Sequence, residues 1–301
     1  MNASGGFRIT RMYHPSLHVP DLAEAEEFFS RVFGRPSVRL STMFVPPREG
    51  RSVPDHSTFT LVGDVLIDSI DPRRYVIDGW QCYPDVEGGT LRSIGWYAEE
   101  VAGLYRKLRS MGVTLVDQRD AVAGGGDPPT AVGSEMPLFF TVATDVGLRH
   151  ELVPAFDFPL DPRCAPGWRL PPPSEEDPLG IVGCAHHTVL TSDPSRALRL
   201  LVDAFGGAVT GEGRDEVLAS AVTVVALAGS VIHLAVPDDP STVSREVDRY
   251  HSITWEVVDV DLVERHLRAQ GVAIATRTPT TVVADPATAL GIPWGFTAPG
   301  S

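Results

Sequence analysis

The 301-residue sequence predicts an α+β protein built from four copies of one strand–helix–strand unit. Three observations carry that prediction. A capped amphipathic helix preceded by an extended run recurs four times. The residues at matching places in those runs follow an A-B-A-B order. A proline-dense stretch separates the second copy from the third.

The first copy is written most fully. An extended run from Met12 carries His14 and His18, and Asp21 then stands as a helix N-cap with Glu24 three residues on. Ala25, Phe28, Phe29, Val32 and Phe33 follow at helical spacing, and Gly34 supplies the stop. Strand-like runs broken by Pro, Gly and Asp then lead to a hairpin over 58–62 and 64–70.

The second copy begins near Leu91, with a helix through Val101, Leu104, Tyr105 and Leu108, and ends in the run 147–154. Residues 155–180 are rich in proline and read as a semi-stiff linker and domain boundary. The third copy starts near Cys184 and continues through Ala197, Leu201 and Phe205 to Gly206. The fourth starts at Tyr250 and passes Val263 and Leu267 before a short terminal run. The expected domains are therefore 8–154 and 181–301, with copies beginning near 12, 91, 184 and 250.

Register makes the repeat specific. In copies one and three a histidine stands seven residues before the capping aspartate, as His14 to Asp21 and His186 to Asp193, and glycine follows thirteen later. In copies two and four a serine takes that place, as Ser93 to Glu100 and Ser252 to Asp259, with glycine twelve later. Each domain is thus a pair of non-identical halves.

Composition bounds the function. A formal charge of −14 argues against nucleic acid or an anionic membrane as partner. The three cysteines form no CxxC pair, so neither a disulfide framework nor a thiolate metal site is expected. No apolar run is long enough to span a bilayer, and a cytoplasmic protein is expected. The expected partner is a small-molecule substrate, with a homodimer left open.

The His-x6-Asp-Leu-x6-Phe-x4-Gly spelling of the first copy and the 147–154 ending of the second resemble the vicinal oxygen chelate superfamily of glyoxalases, bleomycin-resistance proteins and extradiol dioxygenases. The resemblance implies βαβββ modules paired into two open, curved mixed sheets with helices outside. Ligands in metal-bearing members come from the first and last strand of each module. It thereby singles out His14, Asp68, Ser93 and Glu151 in the first domain, and His186, His233, Ser252 and Gly295 in the second. Both domains lack the second histidine of the usual set, and the second also lacks the final carboxylate.

Strand alternation places His14, Ser16 and His18 on one face, and Ser93, Gly95 and Tyr97 on another such face. One imidazole and two carboxylates (His14, Asp68, Glu151) suit a divalent ion of Fe, Mn, Zn, Co or Ni, with His18 and Tyr97 as candidate catalytic groups. The weaker alternative is His186, His233 and Glu256, a facial-triad-like set in the second domain. Asp68, flanked by Asp64 and Asp71, also reads as a turn residue. Trp96 and Trp255, at matching places and of opposite parity to the serines, are expected to pack beneath helices. The expected activity is that of a metal-dependent lyase, isomerase, epimerase or dioxygenase on a small oxygenated molecule. The rival expectation is a metal-free binding or resistance protein.

Overall fold

Each of the four repeated units is framed by one strand, a helix and three further strands, with short extra helices at Leu40–Met43 and Ala143–Val146. The computed structural model describes residues 6–43, 55–155, 161–174 and 176–300. Module 1 comprises strand Arg8–His18, helix Leu22–Phe33 and strands Ser37–Arg39, Ser57–Val62 and Val65–Ile70. Module 2 runs through Thr90–Glu99, helix Val101–Ser110, Leu115–Val116, Phe139–Thr141 and Arg149–Pro154. Module 3 has Ile181–Leu190, helix Pro194–Leu198, Ala208–Asp215, Ser220–Leu227 and Ser230–Pro237. Module 4 has Arg249–Val257, helix Val260–Ala269, Ile274–Arg277, Thr281–Ala284 and Gly295–Thr297.

Helix boundaries follow the capping chemistry expected from the sequence. Asp21, Asp193 and Asp259 are extended N-caps whose side chains accept from backbone N–H groups two residues on. Glu100 differs: it adopts a left-handed conformation and makes no side-chain cap bond. Glu is not among the strong N-cap residues, which carry their oxygen closer to the backbone. Gly34 ends the first helix at φ 64°, a region open to glycine without the cost of a Cβ. In module 3 the helix continues through a π-helical stretch, Arg199–Ala204.

Two eight-stranded mixed sheets result, one from modules 1 and 2 and one from modules 3 and 4. Within each module the first strand pairs in parallel with the last, and the first strands of two modules are neighbours at the sheet centre. Among the described residues module 1 alone adds a two-stranded hairpin, Val76–Ile77 with Trp80–Gln81, before module 2 begins.

Backbone proximity divides the chain into two compact units that cut across this order. One comprises Met1–His14, Arg92–Ala155 and His187–Tyr250; the other comprises Pro15–Leu91, Phe156–His186 and His251–Ser301. The reason lies in where the helices bury their apolar faces. In the second unit Phe33, from the module 1 helix, lies edge-on to Trp255 and Trp294 and tilted against Phe296, all in module 4. His266 shares a hydrogen bond with the Val32 carbonyl, Nε2 to O 2.9 Å. In the first unit Phe205, closing the module 3 helix, packs on Trp96 and His150 of module 2. Trp96 and Trp255 do lie beneath helices, both fully buried. The helices covering them come from the opposite half of the chain.

The described part of the proline-rich segment is tied to module 1, in part at the turn between Ser57–Val62 and Val65–Ile70. Arg163 and Asp161 form a buried ion pair of 2.7 Å, and Arg163 Nη1 donates to the Asp64 carbonyl at 2.9 Å. Asp177 pairs with Arg35. Residues 156–160 and 175 of that segment lie outside the described residues, as do 44–54 of the expected strand region. Among the described residues no helix is long and apolar enough to cross a membrane.

Removing the Phe33 ring leaves a void among five aromatic side chains, Phe28, Phe29, Trp255, Trp294 and Phe296. Phe33→Ala is expected to lower unfolding free energy by about 3–5 kcal/mol, read from urea denaturation. A loss below about 1 kcal/mol would mean that the helix does not depend on this contact.

Candidate functional site

The parallel pairing of first and last strands fixes every candidate position at the same offset. Asp68 is in register with Ser16, Glu151 with Gly95, His233 with Thr188 and Gly295 with Thr254. In each module the last-strand residue therefore faces the position two beyond the first-strand candidate, His14, Ser93, His186 or Ser252. This agreement across four modules follows from the period of two along a strand.

In the first compact unit the structure brings His14 and Glu151 together. His14 is buried at 2% exposure, and its Nε2 lies 3.6 Å from Glu151 Oε2. That is contact without a closed hydrogen bond. Gly95, opposite Glu151, makes the approach feasible. A Cβ built there would stand 3.1–3.3 Å from three atoms of the His14 imidazole. Tyr13 sits edge-on to the same imidazole with ring centres 4.1 Å apart, and Tyr97 stacks on Tyr13 at 4.6 Å. Tyr97 itself is 1% exposed.

Burial dominates the electrostatics. Desolvation pushes the Glu151 carboxyl up to about 7, partly opposed by the neighbouring Arg149. Arg149 is held by Asp120 at 2.6 Å and lies over the Phe140 ring at 4.3 Å. The next residue, His150, points to the helix side. It accepts from Trp96 Nε1 at 3.0 Å, and burial lowers its pKa to about 3, so it stays neutral. His187 is likewise buried and lowered to about 3, and its Nδ1 shares a hydrogen bond with the Tyr250 hydroxyl.

The remaining candidates fall elsewhere. Asp68 and His18 belong to the second compact unit, both buried, and Asp68 stands inside its strand rather than in a turn. His18 lies 4.5 Å from the Tyr83 ring. His186 and Glu256 are half-buried in that unit, Glu256 in register with Thr297. His233 is half-buried in the other unit, its pKa lowered by burial against the opposing pull of Asp215.

Two donors 3.6 Å apart can occupy two corners around one divalent ion, whose ligand distances are about 2.0–2.2 Å. A resident site needs at least a third protein ligand. Among the described residues no group of three or more His, Cys, Asp or Glu is gathered to hold a metal ion. The set is partial.

Tyr13 was not singled out by sequence, because its parity on the strand is opposite to that of His14. The ring contact between these neighbours depends on local side-chain placement, for which the sequence carries no signal. Gly95 was placed on the correct face, but its role beside the imidazole needs both strands in place.

Glu151 makes stability depend on pH with a definite sign. Its native pKa lies above the ordinary carboxylate range, so the folded state holds a proton that the unfolded chain releases. Stability is therefore lost as pH rises from about 4.5 to about 7, on the order of 3 kcal/mol from this group. Glu151→Gln is expected to remove that component and to be the more stable protein at pH 8, measured by urea midpoints across the range. Parallel pH profiles for the two proteins would contradict the burial assignment.

No protein-family model matches the sequence, and no curated protein sequence matches it. Solved structures do resemble it across nearly its whole length. A Mn(II)-bound glyoxalase from Novosphingobium aromaticivorans superposes with a TM-score of 0.60 at 12% identity, covering 97% of this chain and 83% of that one. A variant of 4-hydroxymandelate synthase from Streptomyces coelicolor gives a TM-score of 0.60 at 16% identity, covering 97% and 93%. A 2,3-dioxygenase from Pseudomonas sp. KL28 gives 0.58 at 12% identity, covering 98% and 93%. Identity this low shows the fold alone, here paired βαβββ modules forming two sheets.

Proposed function

We propose that the protein is an enzyme that moves a proton on a small oxygenated substrate, with His14 and Glu151 as its acid–base pair. The observation that carries this is the contact between a buried imidazole and a carboxyl raised to about 7. A carboxyl near neutrality is divided between acid and base at working pH, the condition under which general acid–base catalysis is most effective.

In the forward step Glu151 as carboxylate takes a proton from carbon next to a substrate carbonyl. The C–H electron pair moves into the carbon–carbon bond, and the carbonyl oxygen gains the charge. His14, presented at Nε2 beside the carboxyl, donates a hydrogen bond to that oxygen. Return of the proton to the same carbon by Glu151 regenerates the substrate with solvent hydrogen exchanged in, and its delivery to a neighbouring atom gives an isomer. Tyr13 and Tyr97 hold the imidazole plane rather than react.

One further reading is favoured by the 3.6 Å spacing of the two donors. In it His14 and Glu151 supply two protein ligands to a divalent ion, which when bound would act as a Lewis acid on the substrate oxygen. With no third His, Cys, Asp or Glu gathered beside them among the described residues, the pair alone supports this version.

Three measurements test the proposal. The infrared carboxyl band lost in Glu151→Gln should titrate in the wild type with a midpoint near 7; a midpoint in the ordinary carboxylate range removes its basis. Deuterium exchange from solvent into small α-hydroxy and α-keto compounds, followed by NMR, should fall about 10²–10⁴-fold in Glu151→Gln. Exchange that survives in that variant would rule out Glu151 as the base. Metal analysis of protein purified without chelator should show no stoichiometric ion under the metal-free mechanism. One equivalent that disappears in both His14→Ala and Glu151→Ala would decide for the second reading.

A further inference from the structure

Modules 2 and 4 are the two B-type copies, so module 4 shows what the fold needs where no acid–base pair stands. Glu151 is in register with Gly95 and Phe140, and Gly295 with Thr254 and Val283. Glu151 and Gly295 are therefore counterparts, as are Phe140 and Val283. Arg149 stands two residues before Glu151, where module 4 has Pro293 before Gly295. Between its second and third strands module 2 carries residues 117–138, whereas module 4 uses 278–280 alone.

The longer connection delivers Asp120 to Arg149. Asp117 closes a turn there, its Oδ1 accepting from Arg119 N at 2.8 Å and from Ala121 N at 3.0 Å. Asp120 takes a left-handed conformation in that turn, φ 61°, which aspartate adopts more readily than most residues. Its Oδ1 accepts from Arg149 Nη1 at 2.6 Å, and the guanidinium lies over the Phe140 ring at 4.3 Å. Two residues apart on one strand, Arg149 and Glu151 share a face, and Phe140 pairs with Glu151 from the next strand. All of these residues belong to one compact unit.

The base, a cation on its face, the ring beneath that cation and the carboxylate anchoring it thus occur together in module 2. Module 4 folds with Gly295, Pro293, Val283 and a three-residue link in their places. The architecture therefore requires none of them.

Proton abstraction moves one negative charge from Glu151 to the substrate oxygen. A cation free to swing would pair with the Glu151 carboxylate, steadying the starting state and weakening the base. A cation already fixed by Asp120 and Phe140 needs no reorganisation as the charge passes to the substrate, which is the condition for electrostatic stabilisation. Resting on the acid–base reading above, we propose that Arg149 is the cation that stabilises the developing oxyanion and that Asp120 is the residue that positions it.

The test is the rate of deuterium entry from solvent into hydroxyacetone and pyruvate, an uncharged and an anionic ketone, followed by NMR across ketone concentrations. Arg149→Met should lower kcat about 10²-fold, with KM within about threefold of wild type. Arg149→Lys, which keeps the charge without the planar fork, should recover about tenfold of that loss. Asp120→Asn should lower kcat about fivefold, the scale of an exposed ion pair, at unchanged KM. Urea midpoints establish that each variant is folded. No exchange in the wild type, or exchange undiminished in Glu151→Gln, would sink the acid–base reading and this role with it. Exchange lost in Glu151→Gln but retained at wild-type kcat in Arg149→Met would overturn the role and leave the acid–base pair standing. So would a raised KM at constant kcat, which makes Arg149 a binding residue, or a lysine variant no faster than the methionine one, which assigns the loss to packing. If Arg149→Met does not fold, Asp120→Asn decides, because it removes an exposed charge at nearly constant volume. Undiminished kcat in that variant would overturn the positioned cation.

Discussion

Parallel pairing between the first and last strand of each module is the constraint on which the rest depends. A parallel pair cannot be closed by a tight turn and requires a long connection, here a helix and two further strands. That connection brings residues some fifty positions apart, such as Ser16 and Asp68, into one register. Repeated four times, it sets the same two-strand geometry in every module. Chemistry then varies through the side chains placed on it: Asp68, Glu151, His233 and Gly295 at one position, and Ser16, Gly95, Thr188 and Thr254 opposite.

The helices use the opposite face of the same strands. The module 1 and module 3 helices each have a phenylalanine near the end, Phe33 or Phe205, that packs on a tryptophan of the other half, Trp255 or Trp96. Sheets thus unite neighbouring modules in sequence, while helix packing unites modules 1 with 4 and 2 with 3. The buried Arg163–Asp161 pair and its bond to Asp64 fasten the intervening segment to the sheet. Breaking such a pair leaves an uncompensated buried charge, so this segment has more structural work than a spacer.

Burial then separates structural from reactive histidines. His150 and His187 lie under the helices, bonded to Trp96 and Tyr250, and are held neutral. His14 lies one strand-face away from that environment, beside a carboxyl whose pKa is near neutral. The difference is one of parity, since a single residue step turns a side chain from helix side to inner side. Glycine at 95 adds the room that lets imidazole and carboxyl meet.

The sequence by itself determined the four modules, the helix caps at Asp21, Asp193 and Asp259, the register of His14 and His186, and the burial of both tryptophans. Those features are local, resting on strand period, helix period and capping chemistry within a few residues. Tertiary structure alone decided which helix covers which tryptophan, and that Glu151 meets His14. It also placed His18 beside the Tyr83 ring. Each of these depends on contacts between segments far apart in the chain. A pattern with period two or 3.6 states which face a residue takes, but not which distant side chain will stand opposite.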